Sequence, residues 1–125
     1  MMARILIVDD DPDICFVLTR LLERHGHEAS AVLNARKALD SLESSPFDIA
    51  IIDIIMPDMD GIELIMKIRL NYPQLKVIAI SGGGVIPADE YLRMAKLLKV
   101  CRTFQKPIKA AELVAAIDEL MAESA

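Results

Sequence analysis

The residues of this sequence best suited to chemistry are the acid pair Asp9 and Asp10, the lone acid Asp53, the hydroxyl of Ser81 and the amine of Lys106. Asp53 closes the apolar run Ile49 to Ile52 and is followed by Ile54, Ile55 and Met56. Aspartate is a poor strand former, and a charge among apolar neighbours is costly unless something pairs with it. Two carboxylates about 4 Å apart repel by about 4 kcal/mol at an effective dielectric near ~20. If Asp9, Asp10 and Asp53 converge, they therefore need a shared proton or a cation. Hard oxygen ligands around a small, partly open site favour Mg²⁺, which keeps positions for water and substrate phosphate. The chemistry that follows is phosphoryl transfer. Asp53 is expected to act as nucleophile and form an acyl phosphate, with Mg²⁺ and the Lys106 ammonium expected to neutralise the transferring group and Ser81 to donate its hydroxyl to a phosphoryl oxygen.

These residues can meet only if the chain folds to bring them together, and its hydrophobic periodicity supplies such a fold. Ile5 to Val8 is a branched apolar run stopped by acids, as expected of a central parallel strand. Pro12 suits a first helical turn with Asp11 as its N-cap; Ile14, Val17, Leu18, Leu21 and Leu22 recur at helical spacing before Gly26. Glu28 to Leu33 reads as a weaker strand. The helix after it carries Ala35, Ala38, Leu39 and Leu42 and stops at Ser44, Ser45 and Pro46. Asp48 to Asp53 is the central strand, Gly61 opens a helix ending near Asn71 to Pro73, and Lys76 to Ser81 is another buried strand. A helix is expected from about Ala88 to Leu98, a short strand from Arg102 to Gln105, and a last amphipathic helix marked by Ile108, Leu113, Val114, Ile117 and Met121. The alternation predicts an α/β domain, a doubly wound five-stranded parallel sheet in the order 2-1-3-4-5 with five helices, flavodoxin-like. All strands of such a sheet end along one edge. Asp9 and Asp10, Asp53, Ser81 and Lys106 then finish contiguous strands, whereas the outer second strand ends on Leu33 and Asn34.

Composition narrows the function further. A chain of 125 residues, 54% apolar and 26% charged, is expected to form one domain over residues 1–125. A net charge of −5 argues against nucleic-acid and membrane-surface binding. MMARILIV is too short for a signal peptide, and no run approaches the roughly 18 apolar residues of a spanning helix, so a cytoplasmic location is expected. Cys15 and Cys101 lack any CxxC or Cys/His spacing and read as buried reduced thiols.

Over essentially its whole length the sequence resembles the receiver domain of the bacterial two-component response regulators. ILIVDDDPDI, DIAIIDIIMPDMDG, VIAIS and FQKP carry the resemblance. It implies that Asp53 is the phospho-acceptor and that Asp9, Asp10, Asp53 and the backbone carbonyl of Ile55 hold Mg²⁺. It further implies that Ser81 is the hydroxyl that moves to the phosphoryl group and that Lys106, its counter-ion, precedes a cis bond to Pro107. The implied donor is a sensor histidine kinase or a histidine phosphotransfer protein. Because the chain ends soon after its last helix, output is expected through contact with a downstream protein or through a phosphorelay. Two copies could also pair through the face of the fourth helix, fifth strand and fifth helix. The sequence departs from the family's usual pattern at three places. Thr103 stands where Tyr or Phe is usual, with Phe104 one place later and on the other face of its strand. Ile55 is apolar where fast-cycling members often carry a polar residue, which predicts slow self-dephosphorylation. Lys99 and Val100 replace a common Gly-Ala.

Other readings are weaker. A phosphohydrolase of the haloacid-dehalogenase type needs an acid two residues beyond its nucleophile, where Ile55 stands; the protein therefore reads as a switch rather than an enzyme. A flavin-nucleotide module would have its phosphate repelled by DDDPD. A binding module that works unphosphorylated would not need the full acid, hydroxyl and lysine set. Asp11 reads as a helix cap, Asp58 and Asp60 as turn residues, and Gly82 to Gly84 as a hinge. His25 and His27 are expected to be exposed, and the methionines to fill the core.

Overall fold

A computed structural model describes residues 2–56, 61–82 and 88–123, apart from the side chains of residues 88, 89, 91, 92 and 95. Strands and helices alternate: β1 Arg4–Val8, α1 Pro12–Arg24, β2 Glu28–Val32, α2 Ala35–Ser44, β3 Ile49–Asp53, α3 Gly61–Asn71, β4 Lys76–Ser81, α4 Ala88–Leu97, β5 Arg102–Gln105 and α5 Ala110–Glu123. The strands form one parallel sheet in the order β2-β1-β3-β4-β5. Every residue of β3 is buried, as a central strand covered on both faces requires, whereas edge strand β2 is largely exposed.

Helix boundaries follow local chemistry. The Asp11 side chain accepts the Asp13 N–H at the start of α1, and Pro12 occupies the first turn, where its missing N–H costs nothing. Gly26, at φ +84°, takes the left-handed turn that ends α1. At α2 the cap is Asn34, whose side chain accepts the Lys37 N–H.

Alternation along the strands divides the core into two. Leu6, Ala50, Ile52, Val77 and Ala79 pack under α2 and α3, while Ile5, Ile7, Ile49, Ile51, Ile78 and Ile80 pack under α1 and α5. Thr103 pairs with Ala79 and Phe104 with Ile80, and Phe104 packs in the α1/α5 core. The aromatic ring is thus committed to the face opposite that of Thr103.

Several expectations need correction. His27 is buried rather than exposed, Cys101 is only half-buried, and of the described methionines Met2 and Met66 lie at the surface. The expected turn at Asp58 and Asp60 and the expected hinge beyond Gly82 fall outside the described residues.

His27 sits where the chain enters β1: the Ala3 N–H donates to its Nδ1 at 2.9 Å, so the neutral ring carries its proton on Nε2, 3.8 Å from Asp118 Oδ1. Burial holds its pKa below the usual 6.5, outweighing the Asp118 carboxylate. The unfolded chain then takes up a proton at a higher pH than the folded one. This contribution to stability is therefore complete above about pH 6.5 and is lost as pH falls from there towards the folded value. The urea midpoint should drop over that range, and His27→Gln should flatten the drop; an unchanged slope in the variant would remove His27 as its source.

Candidate functional site

The carboxyl ends of β1, β3, β4 and β5 meet at one edge and position the site. Asp9 follows β1 directly and is buried, with its Oδ1 accepting the Asp11 N–H at 2.9 Å. Its backbone carbonyl accepts the Cys15 thiol at 3.3 Å, a positioning contact that apolar spacing alone did not announce. Burial, reinforced by the nearby Asp9 charge, raises the Cys15 pKa and keeps it a thiol. Asp53 closes β3 and is also buried; its Oδ1 accepts the Ile55 N–H at 3.0 Å and its Oδ2 lies 3.2 Å from Lys106 Nζ. Both oxygens are therefore oriented.

Lys106 reaches Asp53 because β5 delivers it there. Its N–H donates to the Ser81 carbonyl at 2.9 Å, extending the β4 to β5 ladder by one bond, and its bond to Pro107 is cis. Ser81 itself ends β4 and is buried. Lys106 Nζ also lies 3.1 Å from Asp9 Oδ2, within ion-pair range but outside hydrogen-bond alignment, so this buried oxygen has no hydrogen-bond partner.

The electrostatics are lopsided. Burial pulls the Lys106 pKa down, yet contacts with Asp9 and Asp53 outweigh it and leave the ammonium above its usual 10.5. Asp9 is pushed above its usual 3.8, first by burial, with the Asp53 charge adding to it; the Asp11 N–H and Lys106 only partly compensate. One shared ammonium is too little for both acids.

Carboxylate oxygens of Asp9, Asp10 and Asp53 lie within 4.8 Å of one another, with Asp10 exposed and the other two buried. An all-oxygen donor set, open on one side and holding a buried Asp9 oxygen that faces Lys106 without an aligned hydrogen bond, fits Mg²⁺. Ile55, whose N–H holds Asp53, is 39% exposed and clear of the core.

Gly61 is the site residue that sequence reasoning undervalued. A Cβ there would lie 2.2 Å from the Asp53 carbonyl oxygen and 2.5 Å from Ile54 Cα, and its N–H donates to the Ile54 carbonyl at 2.6 Å. The first turn of α3 thus presses on the backbone that carries Asp53.

Comparison with known proteins places this architecture. The response regulator receiver domain matches residues 5–118. The chain belongs to that family. Receiver relatives include the response regulator receiver protein CpdR of Brucella abortus, 33% identical over 123 residues that cover 96% of this chain and 98% of CpdR. Among solved structures, a CheY-like receiver domain protein from Methanospirillum hungatei JF-1 superposes with a TM-score of 0.89 at 30% identity, covering 98% of this receiver and 96% of that chain. NtrX of Brucella abortus gives a TM-score of 0.90 at 29% identity, but this receiver spans only 28% of the NtrX chain. The protein is a signalling receiver of the two-component type.

Proposed function

We propose that this receiver is switched by phosphorylation of Asp53, with a sensor histidine kinase or a histidine phosphotransfer protein as donor. The observation that carries this reading is the Asp53 carboxylate itself, buried and held between the Ile55 N–H and Lys106 beside two further acids. An oxygen of Asp53 attacks the phosphorus and forms a mixed anhydride. The P–N bond of the donor breaks, and the imidazole nitrogen keeps its electron pair. Lys106 remains protonated and faces the incoming charge, while the Ile55 N–H keeps the carboxylate from rotating away. Asp9, Asp10, Asp53 and the Ile55 carbonyl would hold Mg²⁺, which would supply positive charge to the transferring phosphoryl group. The Ser81 hydroxyl then donates to one of those oxygens. Added charge of about −1.5 to −2 at this edge shifts a two-state surface, read by protein contact or by onward transfer in a phosphorelay, in the cytoplasm. Ile55 offers no acid for a hydrolase, so turnover of other substrates is not part of this reading.

Acetyl phosphate with Mg²⁺ should add one phosphoryl group, seen by intact-mass measurement, and Asp53→Asn should abolish the addition. Stoichiometric labelling of the variant would overturn the assignment.

A further inference from the structure

Helix α3 and the end of α4 leave between them a groove of about 400 Å³ on the flank of the sheet, away from the acid cluster. Its walls are apolar and exposed: Leu70 is 82% exposed, Leu97 76% and Met66 54%, with Leu98 behind them anchored in the core. Leucines this exposed on neighbouring elements form a contiguous patch rather than scattered surface residues.

Its charges are cationic. Arg69 and Lys99 line the groove, and no carboxylate does among the described residues. The Arg69 guanidinium is spent on the carbonyls of Pro73 and Leu75, its Nε is buried without a partner, and no described acid pairs with it. Lys99 adopts φ 55°, the left-handed conformation that glycine takes without steric cost and that follows a helix C-terminus. A lysine stands where glycine would serve the backbone better, and it lines the groove. On a chain of net charge −5, this is a local inversion of sign.

We infer that the α3/α4 groove docks an acidic amphipathic helix of a partner protein, its apolar stripe on Met66, Leu70 and Leu97 and its carboxylates on the exposed Lys99, with the uncompensated charge of Arg69 behind it. Such a helix supplies both the cover and the counter-charge that the groove lacks. The groove exists without phosphorylation, so the inference stands apart from the assignment of Asp53.

The test uses the unphosphorylated protein and two labelled helical peptides with leucines at i, i+3, i+4 and i+7, one flanked by glutamates and the other by lysines, followed by fluorescence anisotropy. The acidic peptide should bind saturably, about 10-fold or more tighter than the basic one, and weaken as salt rises. Leu70→Glu, at an exposed position, should abolish binding without lowering the thermal midpoint. Lys99→Gly should weaken binding severalfold while leaving the midpoint unchanged or raised, a split that a purely structural role would not produce. Equal affinity for the two peptides, no binding of either, or full binding by Leu70→Glu would each overturn the inference. So would sedimentation showing that the groove is closed by a second copy, or co-sedimentation with phosphatidylglycerol vesicles lost in Leu70→Glu.

Discussion

Gly61→Ala should cost about 2 kcal/mol of stability and sharply slow phosphorylation from acetyl phosphate, although alanine is the better helix former. The added methyl would meet the Asp53 carbonyl oxygen at 2.2 Å and Ile54 Cα at 2.5 Å. Both are backbone atoms, so no rotamer change relieves the clash. Either α3 moves off the sheet, breaking the Gly61 N–H bond to Ile54, or the peptide after Asp53 rotates and carries the acceptor with it. Gly82→Ala is the control for stability, because a Cβ there meets nothing within 4 Å. Urea unfolding and the labelling rate check the prediction; a Gly61→Ala protein as stable and as quickly labelled as the parent would refute the close approach.

Lys106→Met should destabilise the Mg²⁺-free protein by about 2–4 kcal/mol at neutral pH, at the lower end because the lysine is partly exposed. Its ammonium lies within 3.2 Å of carboxylate oxygens on both Asp9 and Asp53, and removing it leaves two buried acids facing one another. Because the folded pKa of Lys106 lies above 10.5, its stabilisation is complete below that value and is lost only as pH rises through the folded pKa. Millimolar Mg²⁺ should restore part of the loss, and Asp9→Asn in the same chain should restore more, since deleting the acid with its cation removes the orphaned charge. Denaturation in EDTA and in Mg²⁺ reads both effects. Equal stability of Lys106→Met and the parent in EDTA would sink this account of the ion cluster.

Most of the site was legible because strands have period two and parallel strands end on one edge. Asp9, Asp53 and Ser81 each follow or close an apolar run, and Lys106 follows the short, mostly polar strand Arg102–Gln105, so a parallel sheet that ends these strands on one edge brings the four together. Thr103 and Phe104 sorted to opposite faces by the same rule. His27 shows where such reading stops. A histidine just after a helix end looks solvated, and only the fold brings the Ala3 N–H onto its ring and buries it. Met66 fails in the other direction, since hydrophobicity alone does not reveal that α3 turns that position outward.

Local periodicity and the residues that end each run were enough for the class of fold and for the acids, hydroxyl and amine at the strand ends, while the strand order came from the usual winding of such folds. Packing alone shows that Lys106 bridges Asp9 and Asp53 at 3.1 and 3.2 Å, that Gly61 touches the backbone of the acceptor, and that α3 and α4 leave a cationic apolar groove. Each of these is a distance between residues far apart in the chain, and such distances are set by packing rather than by pattern.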